Sequence, residues 1–238
     1  MSEGLTDAAR RAIRRDAIGL GIGTGAYALS FGALSVSAGL SIWQTQALSL
    51  LMFTGASQFA LIAIVGAGGG AVIAVATAAL IGSRNAFYSV HMASVLRPRG
   101  WRRLAAAQLT IDESTGMAVG HDETNEGARL AFWSTGIAIF ICWNVGTLIG
   151  AIAAGLLDDP AVLGLDAAGP AAFLALIWPR LTSWSMRAVF AVSLVCAVAF
   201  TPLLPPGIPV LIAGAAGVIT GLLLALPELR RGAGGAAT

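Results

Sequence analysis

The sequence predicts an all-α membrane protein, and three observations lead to this prediction. Of 238 residues, 57% are hydrophobic and only 11% are charged, whereas a globular domain carries about 25% charged residues. Residues 17–83 contain no formal charge at all. The apolar runs are continuous rather than alternating, which favours helices over a closed barrel as the way to satisfy the backbone in lipid.

Eight apolar stretches lie between a basic N-terminal segment, 1–16, and a polar tail, 228–238. A spanning helix needs about 20 mostly apolar residues, and most of these stretches come close to or exceed that length. The stretches are Ala17–Gly39, Ala47–Val65, Ala71–Leu96, Leu104–Gly120, Ala128–Leu157, Val162–Trp178, Ala188–Leu204 and Val210–Leu226. Together they predict one transmembrane transporter domain over 17–227.

The arginines of the loops predict which stretches cross the membrane. All 14 basic residues are Arg, and cytoplasmic loops carry the excess of such residues. If every stretch crossed, Arg97–Arg103 would lie outside. Re-entry of Ala47–Val65, with a turn at Thr54–Gln58, resolves this conflict. A similar argument makes Val162–Trp178 re-entrant from the cytoplasmic side, which places the loop charges around it and both termini inside. We predict about six transmembrane helices plus two broken or re-entrant segments, with both termini cytoplasmic; the alternative is seven or eight ordinary spans.

A weak internal repeat accompanies this topology. At an offset of 114 residues, Gly32, Leu34, Gly55 and Phe59 recur as Gly146, Leu148, Gly169 and Phe173. In the predicted topology the first spans of the halves 17–120 and 128–227 run in opposite directions. This indicates an inverted repeat, an arrangement of many secondary transporters, whose solute sites lie where discontinuous helices meet.

The break in the second stretch is the first candidate site. The N-terminus of a half-helix presents unsatisfied N–H groups and a positive dipole end. With Thr54, Ser57 and Gln58 beside it, such an end suits a carboxylate. The alternative is a small-residue interface for helix packing.

Arg84 is the second candidate, because a guanidinium within a span should face a cavity or a carboxylate. Its predicted partners are Asp112, Glu113 or the solute carboxylate, and the alternative is a structural ion pair. Asn85, Tyr88 and His91 follow it, with Tyr88 and His91 on a neighbouring helical face. A solvated position at the membrane interface is the alternative for His91.

Asp112, Glu113 and Asp166 are candidate proton carriers, since carboxylates within membrane segments commonly serve that purpose in transporters. The alternative for the adjacent pair is a helix end in water. Trp143 and Asn144 are minor candidates for solute contact.

Several chemistries are not expected. The chain has no Lys and therefore no Walker motif, and the run Gly19–Gly25 opens no nucleotide-binding unit but suits close helix packing. No Ser–His or His-Glu-x-x-His arrangement indicates an enzyme. Cys142 and Cys196 lie in apolar spans without metal-ligand spacing. We expect no metal, no cofactor and no nucleic-acid partner.

The motifs together resemble the AzlC-type branched-chain amino acid permease family over about residues 15–227. The segments that carry the resemblance are Phe53-Thr-Gly-Ala-Ser-Gln-Phe59, Arg84-Asn-Ala-Phe-Tyr88, Asp112-Glu113, Trp143-Asn-Val-Gly146 and Leu165-Asp166 with Pro170-Ala-Ala-Phe173. The first of them is the most specific. After Asp166 the chain has Ala-Ala-Gly, where a bulkier apolar lining is expected, and this leaves the preferred substrate open.

The resemblance implies a proton-driven exporter of leucine, isoleucine, valine and methionine in the bacterial inner membrane, working with a small AzlD-type membrane subunit. The solute carboxylate would meet Thr54–Gln58 or Arg84, and its side chain would lie among Phe53, Phe59 and Phe173. The full set of expected substrate contacts is Thr54, Gly55, Ser57, Gln58, Phe59, Arg84, Asn85, Tyr88, Asn144 and Phe173. The rival hypotheses are a non-transporting assembly subunit and a channel for small neutral solutes.

Overall fold

The computed structural model describes residues 5–156, 174, 177–178 and 181–235. Regular structure in these ranges is helical, with no strand, which confirms the all-α class. The helices are α1 (Asp7–Ser37), α2 (Ile42–Leu51), α3 (Ala56–Gly66), α4 (Ala71–Gly82), α5 (Arg84–Leu96), α6 (Trp101–Gln108), α7 (Asp112–Val119), α8 (Asn125–Gly155), α9 (Trp184–Phe200) and α10 (Ile208–Gly235). The predicted break at Val162–Trp178, with Asp166 and Phe173, lies almost wholly outside the described residues.

Four helical segments of the described chain are long and apolar enough to cross a membrane: α1, α4–α5 together, α8 and residues 208–226 of α10. Helix α9 is apolar but has 17 residues, at the lower limit for a span. The span predicted at Leu104–Gly120 is wrong. That stretch contains α6 and α7, of eight residues each, and each is only about 12 Å long.

Helices α1 and α8 form the central pair of the fold, and glycines let their backbones touch. A Cβ on Gly32 would collide with the carbonyl oxygen of Thr147, and one on Gly150 would collide with that of Leu29. Close approach of this kind is the common use of small residues between membrane helices. Gly25, from the run predicted to pack closely, lies directly against α8 in the same way.

The two central helices run in the same direction. At their N-terminal ends Arg10 forms an ion pair with Glu126. Farther along, Gly21 lies against Ala138 and Gly32 against Ala151, so positions advance together on both helices. The opposite orientation predicted for these spans is therefore wrong, because the stretch Leu104–Gly120 was counted as a crossing. The inverted relation between the halves 17–120 and 128–227 loses its basis.

Arginines gather at one end of the central pair, which we call the arginine-rich end: Arg10–Arg15 of α1, Arg97–Arg103 after α5, and Arg129 of α8. The Nε of Arg129 donates a hydrogen bond of 3.1 Å to the carbonyl oxygen of Val95. The end of α5 therefore lies beside the start of α8. The loop charges had predicted that the N-terminus and Arg97–Arg103 share one face, and the contacts agree.

Helices α2 and α3 form the first broken element, which enters from the far end and returns to it. Ile42, at the start of α2, lies 3.9 Å from the position of a Cβ on Gly155, and a Cβ on Gly66, at the end of α3, would lie 3.1 Å from that of Ala38. Both outer ends thus lie beside the C-terminal ends of α1 and α8. The break between Leu51 and Ala56 agrees with the predicted turn.

Helices α6 and α7 form a second broken element, which enters from the arginine-rich end. Its tip, Leu109, packs against Gly136, with a separation of 3.0 Å from an added Cβ. After α7 the chain returns to the arginine-rich end, because the carbonyl oxygen of His121 lies against Gly127, near the start of α8. No break was predicted here.

Helices α4, α9 and α10 lie on the outside of this framework. Gly82, the last residue of α4, faces Ser57 at the start of α3, so α3 and α4 are antiparallel. Gly207 and Gly214 of the α10 region lie against Ile73 and Leu80 of α4, so these two helices run in the same direction. None of the side chains of α9 is buried.

Candidate solute-binding site

The tips of the two broken elements meet at one cavity between the central helices. A hydrogen bond of 2.8 Å joins them directly, from Nε2 of Gln108 to the carbonyl oxygen of Leu50. The cavity has a volume of about 350 Å³, within the usual range for small-molecule sites. It is lined by Gly23, Thr24, Tyr27, Phe53, Thr54, Gly55, Ala56, Arg84, Ile111, Asp112, Glu113, Ile139 and Trp143.

The side chain of Gln58 fixes the conformation of the tip of the first broken element. Gly55 has φ +61°, which L side chains rarely adopt. Its N–H donates to Oε1 of Gln58 at 3.1 Å, while Nε2 of Gln58 donates to the carbonyl oxygen of Leu48 at 3.0 Å. Gln58 is fully buried and therefore ties the end of α2 to the start of α3.

The N-terminus of α3 opens toward the cavity. Thr54, Gly55 and Ala56 all line it. The first N–H groups of a helix have no partner within the helix and carry the positive end of its dipole. This arrangement agrees with the helix end predicted at Thr54–Gln58, and it offers donors to an anionic group.

The tip of the second element uses the same local structure. The N–H of Ile111 donates to Oγ of Ser114 at 3.1 Å, and that hydroxyl donates to the carbonyl oxygen of Leu109 at 2.6 Å. Asp112 and Glu113 then occupy the first turn of α7, where the helix dipole favours negative charge. The second helix end in the cavity is thus acidic.

Arg84 and Asp112 form an ion pair across the cavity, with 2.7 Å between Nη2 and Oδ2. The side chain of Asp112 is 11% exposed and that of Arg84 is 34% exposed. This pair joins the start of α5 to the start of α7, and it confirms one of the partners predicted for Arg84. The alternative of a helix end in bulk water does not describe Asp112.

Several buried polar atoms of this site have no partner among the described residues. They include Nε of Arg84, Oδ1 of Asp112 and Nε1 of Trp143. Trp143 is only 4% exposed, and leaving a buried donor unpaired normally costs about 1–3 kcal/mol. Two donors and one acceptor at one cavity are what a small polar ligand could satisfy.

Aromatic side chains form one wall and its support. Tyr27 stacks on Phe59 with 4.8 Å between ring centroids, and it meets Trp143 edge-on at 5.6 Å. Phe31 and Phe53 extend this wall against Phe59 and Phe140. These ring contacts pack the apolar wall of the cavity.

The other predicted residues take different positions. Ser57, Gln58 and Phe59 are buried behind the first tip and are not among the lining residues. Asn144 receives a hydrogen bond of 3.2 Å from Gln46, so it joins α8 to α2. Asn85, Tyr88 and His91 follow Arg84 along α5 without lining the cavity.

Sequence reasoning missed five lining residues: Gly23, Thr24, Tyr27, Ile111 and Ile139. Tyr27 could have been found, because a tyrosine in a charge-free span is an unusual residue. The isoleucines carry no such signal, because they look like any lipid-facing residue. Asp166 and Phe173 lie outside the described residues. No cluster of three potential metal ligands occurs in the described parts of the chain.

Comparison with known families gives one match. The family described as AzlC protein matches residues 19–157, more than half of the chain, and this range contains the whole cavity. The match stops well short of residue 227, to which the resemblance was expected to extend. No curated protein and no solved structure matches the chain. The chain belongs to the AzlC family and is a membrane protein related to branched-chain amino acid transport.

Proposed function

We propose that the protein is a secondary transporter that exports leucine, isoleucine, valine and methionine across the bacterial inner membrane in exchange for protons. The observation that carries this proposal is a cavity shared by the tips of two helix pairs that enter from opposite ends. It combines an ion pair, two helix N-termini and an apolar wall. A zwitterion with an apolar side chain requires all three.

The carboxylate of the solute binds between Arg84 and the N-terminus of α3. Nε of Arg84 has no partner among the described residues, so the guanidinium can pair with Asp112 and a second anion together. The N–H groups of Ala56 and Ser57, which precede the first bonded N–H of α3 at Gln58, add donors of the kind that hold anions at helix ends. Both features face the same cavity.

The ammonium group of the solute binds at the acidic tip. Oδ1 of Asp112 is buried without a partner in the described chain, and Glu113 also lines the cavity. An ammonium ion has three donors and matches such an acceptor. The first tip therefore binds the carboxylate of the zwitterion, and the second tip binds its ammonium group.

The solute side chain lies against Phe53, Ile111, Ile139 and Trp143. These residues line the cavity, and they come from both tips and from α8. An aliphatic chain gains about 0.8 kcal/mol for each CH₂ group it buries. A charged or strongly polar side chain would find no partner on this wall, which favours branched aliphatic amino acids and methionine.

Proton coupling is assigned to Asp112, Glu113 and Asp166. Ionised Asp112 holds Arg84 and the solute ammonium, whereas protonated Asp112 holds neither, so the proton and the solute bind alternately, as exchange requires. The supporting observation is that the tip bearing Asp112 is a short helix of eight residues, anchored by Ser114 rather than by a continuous span. Movement of the two tips past each other would open the cavity to one side at a time.

The proposal includes a small AzlD-type subunit in the same membrane. Support comes from the outer helices, where α9 has no buried side chain and Val195 and Leu222 are each more than 60% exposed. Faces of this kind contact lipid or another membrane helix. We assign the arginine-rich end and both termini to the cytoplasm on the positive-inside rule.

Counterflow tests this function. Liposomes holding the full chain, with and without an AzlD-type subunit, are loaded with unlabelled leucine, and the entry of labelled leucine, valine or methionine is followed. We expect accumulation that is faster for these solutes than for aspartate or lysine, and leucine efflux that depends on a pH gradient. Flux that ignores the gradient would indicate a channel, and no flux with the subunit present would indicate an assembly role.

A further inference from the structure

A second cavity lies between α5 and α6, toward the arginine-rich end. Its volume is about 380 Å³, and its lining is Ser89, Met92, Ala93, Leu96, Arg97, Pro98, Arg103, Ala106, Ala107 and Thr110. It shares no lining residue with the cavity between the two tips. Its lining also differs in chemistry, because it combines two arginines with a surface of apolar side chains.

Arg97 occupies a strained backbone position at this cavity. It has φ +45° and ψ +50°, and no other residue except glycine has a positive φ in the described parts of the chain. Glycine usually takes this left-handed position at the end of a helix. Arg97 thus adopts at the end of α5 a conformation that glycine would adopt without strain. Backbone strain of this kind often marks a functional site.

The two arginines of the cavity have no anionic partner among the described residues, where neither Arg97 nor Arg103 forms an ion pair. Nε of Arg97 donates to the carbonyl oxygen of Ser94 at 3.3 Å, which orients the side chain without neutralising it. Two unpaired guanidinium groups at one cavity suit a phosphate, which accepts their forked donors.

Apolar groups beside the arginines distinguish a lipid from a free anion. Met92, Leu96 and Ala106 are buried under the cavity, while Val90 and Leu104 are each 76% exposed on the adjoining surface. Trp101 is 74% exposed, and tryptophan is enriched at the level of lipid head groups. A molecule with an anionic head and acyl chains would cover both the charged and the apolar parts.

We propose that this cavity binds the phosphate of an anionic phospholipid, with the head group at Arg97 and Arg103 and the acyl chains along α5 and α6. Basic pockets between helices on the cytoplasmic side of membrane proteins bind such head groups. The neighbouring arginines differ in environment: neither Arg99 nor Arg102 lines the cavity, and Arg102 lies over the ring of Trp101, 5.9 Å from its centroid.

The experiment measures lipid retention by the purified full chain in a neutral detergent, with native mass spectrometry. The probes are phosphatidylglycerol, phosphatidylcholine of the same chain length, and inorganic phosphate. Arg97→Gln/Arg103→Gln is compared with the matched control Arg99→Gln/Arg102→Gln, which removes the same charge from the same loop. We expect the first variant to lose about 30-fold in phosphatidylglycerol affinity and the control to stay within about twofold.

Three results would overturn the proposal: equal losses in the two double variants, equal retention of phosphatidylcholine, or displacement of phosphatidylglycerol by millimolar inorganic phosphate. The last would assign the cavity to a free phosphate ion instead. Arg97→Gly separates binding from folding, because glycine relieves the strained position. We expect this variant to melt at an equal or higher temperature than the wild type without lipid while retaining less phosphatidylglycerol, and unchanged retention would also contradict the proposal.

Discussion

The broken element α2–α3 and the broken element α6–α7 have the same construction but opposite chemical character. In both, the N–H of the residue before the second helix is bound by the third residue of that helix, Gln58 in one and Ser114 in the other. They enter from opposite ends of the α1–α8 pair and meet at one cavity. The first tip carries no charge, whereas the second begins with Asp112 and Glu113.

This difference separates two tasks that a transporter of zwitterions must perform. A neutral tip with a helix N-terminus binds an anionic group without titrating. An acidic tip can exchange a proton and an ion-pair partner, because Asp112 already holds Arg84. A site made of two such tips can therefore couple solute movement to proton movement without any further cofactor.

The largest expected loss of transport comes from substitutions at the acidic tip. Asp112→Asn and Arg84→Ala should each abolish leucine counterflow, because each removes one member of the ion pair and leaves the other charge uncompensated at the cavity. Thr54→Ala, at the neutral tip, should reduce the rate only severalfold, since its hydroxyl makes only a 3.4 Å bond to the carbonyl oxygen of Met52.

The matched control for this comparison is the surface pair of Arg15 and Asp16, 3.0 Å apart. Arg15→Gln removes the same charge from an exposed position and should leave counterflow unchanged. Size-exclusion profiles establish that each variant is folded. Wild-type efflux from folded Asp112→Asn or Arg84→Ala would remove these residues from the mechanism.

The next effect concerns the stability of the two tips. Gln58→Ala leaves the part-buried N–H of Gly55 without its partner and removes one of the two hydrogen bonds to the carbonyl oxygen of Leu48, which still accepts from the N–H of Met52. Together these losses should lower the free energy of unfolding by about 2–3 kcal/mol. Ser114→Ala removes a smaller side chain and should cost about 1–2 kcal/mol. Chemical unfolding in detergent compares them, and a larger loss for Ser114→Ala would reverse our ranking of the two anchors.

A smaller effect is expected from the backbone of the neutral tip. Gly55→Ala meets no steric obstacle, since the nearest atom, in Trp143, is 3.9 Å from the added Cβ. With ψ −90° the backbone of Gly55 lies outside the left-handed helical region, and this conformation should cost an alanine about 1–3 kcal/mol. At the acidic tip, Ile111 has φ −128°, so Ile111→Ala tests side-chain loss without backbone strain. Thermal unfolding of Gly55→Ala at the wild-type temperature would show that the conformation of this tip is not fixed.

The smallest effect is expected at the wall that faces the neutral tip. Trp143→Phe keeps an aromatic ring but removes a buried N–H that has no partner among the described residues. If this N–H donates to the solute, its loss should raise the KM for leucine about fivefold, which corresponds to one hydrogen bond of about 1 kcal/mol. Transport assays over a range of leucine concentrations measure the KM. An unchanged KM would show that the indole N–H of Trp143 does not bind the solute.

The sequence was sufficient to predict the class of fold and the first broken element. Charge-free length indicates a membrane, and Gly55 with its polar neighbours interrupts an apolar run in a way that can be read directly. The run of small residues at every second position from Gly19 to Gly25 predicted close helix packing, which Gly21 and Gly25 show and Gly19 and Gly23 do not. The cost of a buried guanidinium predicted a carboxylate beside Arg84, with Asp112, Glu113 and the solute as alternatives, and the structure shows Asp112.

The second broken element could not be predicted, because its break has no local signal. The tip Leu109–Ile111 contains neither Gly nor Pro, and Ser114 and a contact with Gly136 of α8 hold it in place. These are tertiary interactions. Counting this stretch as a span also reversed the predicted direction of α8, which shows how one local error changes a whole topology.

Protection of Thr54 from labelling tests the central claim, that the two tips enclose the solute. Cys142 and Cys196 are replaced by Ala, and Thr54→Cys is compared with Ser94→Cys, an exposed position on α5 outside the cavity. Maleimide labelling is timed in membranes containing an AzlD-type subunit. We predict that leucine slows labelling at position 54 and leaves position 94 unchanged, whereas aspartate affects neither. Equal labelling rates at position 54 with and without leucine would contradict the account.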